Sequence, residues 1–249
     1  MKIKETNSKK ILNRSKIEGV DYCINPYIGC FHGCKYCYAE FMKKYTFHTE
    51  NWGEFVDIKI NSPELLEKEI KSMRKGLIMI SSVTDPYQPI EKKYEITKRI
   101  LEILLIYQFP VEILTKSSLI LRDIEILKKF NDLCVGLTIT TDNEYIKKIF
   151  EPRSSSISER VNTIEILHKN GIRTFCFVGP ILPMNPENLL NMIIDKVDFI
   201  YLDRMNYCNK VTSIYKKYGL AKYLSDEYFE NVKNFFLKNV DIKKIEAFI

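Results

Sequence analysis

Three cysteines lie within eight residues of this chain, at Cys30, Cys34 and Cys37, with the spacing C-x3-C-x2-C and Tyr36 just before the third. Three closely spaced thiolates suit a [4Fe–4S] cluster. Because cysteine-ligated clusters normally take four thiolates, a missing fourth ligand leaves one iron with an open coordination position. The motif therefore predicts an iron–sulfur site at which a small molecule can be activated.

Zinc is an alternative for the same cysteines, as in a zinc-stabilised nucleic-acid-binding module. A structural zinc site takes four ligands, commonly in two separated pairs. The fourth ligand here is either a distant cysteine or His32, which lies in a loop too tight to surround one zinc easily. The N-terminus is polar and has no apolar stretch, so no signal peptide is expected and the protein is predicted to be cytoplasmic. In a reducing cytosol the cysteines favour metal binding over a disulfide, and the cluster over zinc.

Size and composition indicate one globular domain over residues 1–249. The chain is 45% hydrophobic and 28% charged, and no apolar run approaches the length needed to cross a bilayer, so no membrane partner is expected. The net charge of +6 comes with scattered lysine pairs rather than a dense basic stripe. Charge alone therefore does not establish nucleic-acid binding.

Apolar strand-like runs alternate with helical stretches along most of the chain. Strands are predicted at 56–60, 77–83, 111–115, 135–140, 173–178 and 199–202, and helices at 61–75, 97–107, 119–130, 156–170 and 186–196. Such alternation predicts parallel strand–helix–strand units. About six units, counting one that leads into the cysteines, are too few for an eight-unit barrel. The prediction is an α/β fold with a partial (β/α)6 TIM-like barrel, a core over about 20–206 and a helical C-terminal extension over 207–249.

The cysteine spacing with its aromatic residue resembles the signature of the radical S-adenosylmethionine (SAM) superfamily. The surrounding run NPYIGCFHGCKYCYA resembles its spore photoproduct lyase-like branch, and the resemblance covers roughly residues 20–206. It implies that Cys30, Cys34 and Cys37 each bind one iron, while the amine and carboxylate of SAM chelate the fourth. Tyr36 then packs near the adenine, although a core tyrosine fits the sequence equally well.

The resemblance also assigns polar residues at strand ends, where parallel barrels place their working groups. Ser82, Thr84 and Asp85 follow the second predicted strand and are candidate acceptors for the SAM amine, or otherwise a turn. Lys116 matches the family's cofactor-carboxylate site, and Thr138 a hydroxyl that bonds the cofactor.

A segment that resembles the family's FEP…R stretch contains further candidates. These are Glu151, Arg153 and Arg160, which contact cofactor or substrate or instead form a surface ion pair. Strand ends at 179–183 and 203–206 are expected to line the adenine and to meet substrate, respectively.

One departure from the branch bears on the reaction. The lyases carry a cysteine that returns a hydrogen atom to the product radical, and Val83 takes its place here. Repair of thymine dimers is therefore not expected, and Cys23, Tyr207 and Cys208 are alternative hydrogen donors.

The resemblance implies an enzyme that reductively cleaves SAM to a 5′-deoxyadenosyl radical. That radical abstracts hydrogen from a nucleic acid or a peptide. A flavodoxin- or ferredoxin-type protein is the expected one-electron reductant. The alternative is a non-catalytic iron–sulfur protein for electron transfer or sensing.

Overall fold

An eight-stranded sheet forms the centre of the computed structural model, which describes residues 1–241 and 244–247. The strands of this sheet and of a smaller one are, in chain order, β1 Lys2–Thr6, β2 Leu12–Arg14, β3 Tyr22–Ile24, β4 Tyr27–Ile28, β5 Phe55–Lys59, β6 Ile78–Ile80, β7 Val111–Thr115, β8 Leu133–Thr138, β9 Arg173–Val178, β10 Phe199–Leu202 and β11 Ile245–Ala247. The large sheet has the order β11-β10-β9-β8-β7-β6-β3-β2, in which all pairs are parallel except β2 with β3. The smaller sheet has the order β1-β5-β4.

Helices connect the parallel strands. They are α1 Ser62–Glu69, α2 Glu91–Tyr94, α3 Ile96–Tyr107, α4 Ile124–Leu127, α5 Glu144–Phe150, α6 Ile157–Lys169, α7 Pro186–Ile193, α8 Cys208–Lys217 and α9 Asp226–Asn239, with 3-10 turns at Tyr38–Tyr45, Ile70–Ser72, Ser118–Asp123, Ile194–Lys196 and Ala221–Leu224. Polar caps fix several helix starts. Ser156 and Glu159 form a capping box at α6, and the Asn143 and Asn185 side chains accept from the first N–H groups of α5 and α7.

The two faces of the large sheet differ in burial. Successive residues of a strand point to opposite faces. Ile113, Val135 and Cys176 point to the helix-covered face and are fully buried, with α6 packed on β8 and β9. Leu114 and Phe177 point to the other face and are half-buried. That face is the inside of the partial barrel, and the carboxyl ends of its strands form the rim where the site is expected.

The predicted fold class is confirmed, since β3 and β6–β10 are six consecutive parallel strands. Three predicted strands, at 111–115, 173–178 and 199–202, have the observed bounds. The strand predicted over 77–83 ends at Ile80 because Ser81 has a φ of 69°, outside the strand region. The helix predicted over 119–130 is instead a 3-10 turn followed by α4.

The C-terminal extension is helical through α8 and α9, as predicted. Residues 245–247 are a strand rather than a helix, because they add to the sheet parallel to β10. Residues 242–243 and 248–249 of the predicted extension lie outside the described part of the chain. The single domain over 1–249 stays a prediction. In the described residues, no helix combines the length and the apolar character needed to cross a membrane.

Candidate active site

The cysteine loop follows β4 and lies between the two sheets. Cys30 is buried, Cys34 and Cys37 are half-buried, and all three are free thiols. Among the described residues, no three His, Cys, Asp or Glu side chains are arranged to hold one metal ion. Three thiolates that each bind a different iron of a cluster do not need to meet at one point. The donor set, three free thiols on one loop, therefore fits an iron–sulfur cluster.

The environment of the loop disfavours free thiolates. Burial raises the pKa of Cys34 to about 12, and the charge of Lys116 only partly opposes it. Burial and the nearby Asp85 carboxylate raise the pKa of Cys30 well above its usual range. Buried negative charge of this kind needs a cation to balance it, and a bound metal centre supplies one.

Asp85 fastens the loop to two strand ends. Its carboxylate accepts from the Thr115 hydroxyl at 2.6 Å, from Tyr87 N at 2.9 Å and from Lys116 N at 2.8 Å. His32 Nε2, from the cysteine loop, lies 3.2 Å from Asp85 Oδ2. Burial alone would raise the pKa of Asp85, but His32 and these donors together lower it to about 2. The Asp85 carboxylate therefore already has hydrogen-bond and charge partners within the protein. Its contact with the SAM amine stays a prediction.

Ser82 and Thr84 also bond the protein. The Thr84 hydroxyl donates to Gly29 O at 2.6 Å, and Ser82 Oγ accepts from Asn25 Nδ2 at 3.2 Å. Both side chains hold the segments that precede and begin the cysteine loop. Their predicted role toward SAM is likewise untested.

Three other polar groups at the strand ends are free. The hydroxyls of Ser81 and Thr138 are buried and have no hydrogen-bond partner in the described residues. Lys116 Nζ lies 5.8 Å from the Tyr36 ring centroid, and no carboxylate of the described chain forms an ion pair with it. Burial would lower the pKa of Lys116, but Cys34 and Glu151 together raise it, so the ammonium stays charged. Since Thr115 pairs with Leu137 in the sheet, Lys116 and Thr138 follow side by side.

Lys116 and Thr138 were predicted as cofactor contacts, whereas Ser81 was not. The sequence shows that Ser81 is one of the polar residues after β6. It does not show that Ser81 has a positive φ, which sets its free hydroxyl apart from the hydrogen-bonded Ser82.

A buried ion pair supports the other side of the loop. Glu151 and Arg160 lie 2.6 Å apart with both side chains fully buried, so the surface-pair interpretation is wrong for them. The Tyr36 hydroxyl donates to Glu151, and Arg160 donates to Thr138 O at 2.8 Å. Burial would raise the pKa of Glu151, but Arg160 and Lys116 lower it to about 2. Tyr36 is thus held as a core tyrosine through its hydroxyl, and its contact with adenine stays a prediction.

Arg153 was predicted to contact cofactor or substrate or to form a surface ion pair, and Trp52 was not predicted to lie at the site. Arg153 Nε donates to Phe31 O at 2.7 Å, and its NH2 donates to Gly53 O at 2.6 Å, which clamps the cysteine loop to a neighbouring turn. The indole N–H of Trp52 is buried and has no hydrogen-bond partner in the described residues. Burial raises the pKa of Cys37, and the backbone N–H of Ala39 and the charge of Lys116 partly oppose it.

The predicted hydrogen donors lie around the same rim. Tyr207 stacks on Tyr38 with ring centroids 6.0 Å apart, and Cys208 Sγ lies 3.0 Å from Met205 O. Cys23 is buried in β3, and Val83, half-buried, donates its N–H to Asn25 Oδ1 at 3.0 Å. No donor role is tested by these positions.

Residues 24–195 match the family model of the Radical SAM superfamily, and the chain belongs to that superfamily. A curated protein of Methanocaldococcus jannaschii, the uncharacterized protein MJ0683, is 38% identical over 237 residues, which cover 94% of this chain and 88% of that protein. The radical SAM Nα-GlyT isomerase of Pseudomonas phage M6 is 26% identical over 160 residues, which cover 64% of this chain but 32% of the isomerase. The chain is therefore an enzyme of the radical SAM class, and the family implies SAM and an iron–sulfur cluster.

Solved structures agree with the family at the level of the fold. Spore photoproduct lyase complexed with dinucleoside spore photoproduct has a TM-score of 0.62 at 14% identity, covering 87% of this chain and 66% of the lyase chain. SuiB of Streptococcus suis bound to the precursor peptide SuiA also has a TM-score of 0.62, at 16% identity, covering 91% of this chain and 48% of SuiB. At these identities the likenesses show the fold that the chain shares with spore photoproduct lyase and with SuiB.

Proposed function

We propose that this radical SAM enzyme holds a [4Fe–4S] cluster on Cys30, Cys34 and Cys37 and reductively cleaves SAM there. The 5′-deoxyadenosyl radical that SAM supplies would abstract hydrogen from a substrate at the barrel rim. The observation that carries the proposal is the set of free polar groups beside the cysteine loop, Lys116, Thr138 and Ser81, among neighbours that are already hydrogen-bonded.

The charges of these groups match the polar end of SAM. Lys116 is half-buried and forms no ion pair with a carboxylate of the described residues, so it suits a ligand carboxylate, because a charge partly withdrawn from water is stabilised by a counter-charge. The hydroxyls of Ser81 and Thr138 suit the remaining donors and acceptors, because buried polar groups are normally satisfied. The chain's own part is to position SAM and to exclude water.

A non-catalytic electron carrier is less well supported. Such a protein would more often supply a fourth cysteine ligand, and it would not need free polar groups at the strand ends. As an enzyme, the chain needs a one-electron reductant of the flavodoxin or ferredoxin type, in keeping with a cytoplasmic location. Its substrate is proposed to be a nucleic acid or a peptide.

The test is anaerobic reconstitution with iron and sulfide, followed by dithionite and SAM, with 5′-deoxyadenosine as the readout. Formation of 5′-deoxyadenosine that is lost in Cys34→Ala is the expected result. SAM binding is measured on the same protein. A reconstituted protein that carries a reducible cluster but does not bind SAM would favour the electron-transfer alternative.

A further inference from the structure

A cleft of about 400 Å³ lies outside the barrel, between β1, β5 and the segment after the 3-10 turn Tyr38–Tyr45. Four lysines line it, Lys2, Lys4, Lys9 and Lys59. Asp57, which lines the cleft, has its Oδ1 2.7 Å from His48 Nε2. Lys2 pairs with Glu50 at 3.1 Å, and Lys59 Nζ donates to Asn25 O at 2.8 Å. Lys4 and Lys9 form no ion pair in the described residues, so the cleft presents free positive charge at these two lysines.

Two exposed aromatic rings stand at this cleft. Phe47 is 97% exposed and Tyr45 is 64% exposed, although both line the cleft. Lysine ammoniums lie over both rings, Lys4 at 5.9 Å from the Phe47 centroid and Lys44 at 4.9 Å from that of Tyr45. A ring exposed to this extent contributes little to the fold but offers a stacking face.

These rings continue toward the active site. Tyr38 and Phe41, both exposed, have ring centroids 6.4 Å apart, and Tyr38 stacks on Tyr207 at 6.0 Å. Tyr38 directly follows Cys37, and its hydroxyl donates to Ser82 O at the end of β6. We call Tyr207, Tyr38, Phe41, Tyr45 and Phe47 the aromatic track. It leads from the rim beside the cysteine loop to the lysine-lined cleft.

We infer that the aromatic track and its lysines bind a single-stranded nucleic acid. Successive bases stack on the rings, and the lysines of the cleft contact the phosphates. The inference rests on the proposed function for the step that makes this strand the substrate, since the track ends at the rim. Binding itself does not depend on that step.

The rings favour a nucleic acid over an acidic peptide. Lysines attract either polyanion, but each base has a π-face for an exposed ring, whereas Asp and Glu side chains have none. Scattered lysines would not make a site by themselves. Lysines around solvent-facing rings are the combination found in proteins that bind single strands.

The test is fluorescence anisotropy on the reconstituted protein under anaerobic conditions. The probe is a fluorescein-labelled DNA strand of mixed sequence, about twelve nucleotides long, and its RNA counterpart. Phe47→Ala should weaken binding roughly 5- to 100-fold, and Phe47→Leu, which keeps an apolar side chain, should weaken it nearly as much. Lys4→Gln should reduce the slope of log K against log salt by about 0.7. Because Phe47 is exposed, its truncation leaves the core intact.

Matched controls come from the opposite end of the barrel. Lys129→Gln and Ile106→Ala change an exposed lysine and an exposed apolar residue there, and both should bind the strands as the parent does. No binding of either strand would overturn the inference, as would binding that Phe47→Ala leaves unchanged. Equal competition by polyglutamate of similar charge would overturn it too.

Cleavage of SAM by the parent protein is measured separately. Cleavage without strand binding removes this inference and leaves the proposed function. Strand binding by a protein that carries a reducible cluster but does not bind SAM supports the inference and removes the proposed function.

Discussion

Glu151 and Arg160 lie 2.6 Å apart with no exposure of either side chain, and they connect the cysteine loop to the end of β8. The connection runs from Tyr36, beside Cys37, through Glu151 to Arg160, which donates to Thr138 O. A buried ion pair adds little net stability over an apolar pair, but removal of one partner leaves an uncompensated charge. This ion pair therefore fixes the loop relative to the strand that carries the free Thr138 hydroxyl.

Glu151→Gln should destabilise the protein by about 3–5 kcal/mol, because the Arg160 charge is then buried without its counter-charge. The free energy of unfolding is measured by urea denaturation, with both proteins in the same cluster state. Glu165→Gln is the control, since Glu165 pairs with Lys169 on the surface and its loss should change stability little. Equal effects of the two substitutions would contradict the structural role of the buried pair.

The same carboxylate predicts a pH dependence. The pKa of Glu151 is lowered from 4.5 to about 2 in the folded protein. A depressed pKa contributes stability above the unfolded value, and this contribution is lost as the pH falls from about 4.5 toward 2. The free energies of unfolding of the parent and of Glu151→Gln should therefore differ at about pH 6 to 7. They should converge as the pH falls toward 2. A constant difference down to the lowest pH would contradict the assignment.

Each of Cys30→Ala, Cys34→Ala and Cys37→Ala should abolish retention of the cluster, because two thiolates cannot hold three irons in place. Iron and sulfide content and visible absorption are measured after anaerobic reconstitution. Cys134→Ala, in β8 and away from the loop, should retain the cluster. An intact cluster in any of the three loop variants would remove that residue from the ligand set.

Lys116→Met should weaken SAM binding roughly 10- to 100-fold, since a charged hydrogen bond to the ligand carboxylate is lost. Binding is measured by equilibrium dialysis on protein with confirmed iron content. Decarboxylated SAM provides the control, because it has no carboxylate for Lys116 to contact. A variant that loses affinity for both ligands to the same extent would show that Lys116 does not recognise the carboxylate.

Local patterns were enough to predict the barrel and the cysteine ligand candidates. The strand at 111–115 is a buried parallel strand between clear turn residues, so its bounds could be read directly. Which polar groups are already hydrogen-bonded could not be predicted from the sequence. Asp85 is satisfied by His32, 53 residues earlier in the chain, and by strand-end groups some 30 residues later. Ser81 is free for the opposite reason, because no such partner reaches it. Which hydroxyl or carboxylate remains available depends on these long-range contacts, and composition and spacing carry no record of them.

Two glycines offer a matched test of the clamp on the cysteine loop. Gly33 and Gly171 both have positive φ, at 59° and 75°. A Cβ at Gly33 would lie 2.4 Å from Arg153 NH2, whereas nothing lies within 4 Å of one at Gly171. Both alanine variants bear the backbone cost of about 1–2 kcal/mol, but Gly33→Ala must also displace the guanidinium that bonds Phe31 O and Gly53 O.

Gly33→Ala should therefore be the more destabilising of the two by urea denaturation, by about 1–3 kcal/mol. It should also lower the iron bound after reconstitution, while Gly171→Ala binds iron as the parent does. Adding Arg153→Ala to Gly33→Ala separates the two contributions, because the steric part disappears when the guanidinium is absent and the backbone part remains. If Gly33→Ala lowers the free energy of unfolding no more than Gly171→Ala does, the Arg153 side chain moves aside without an energetic penalty and does not clamp the loop.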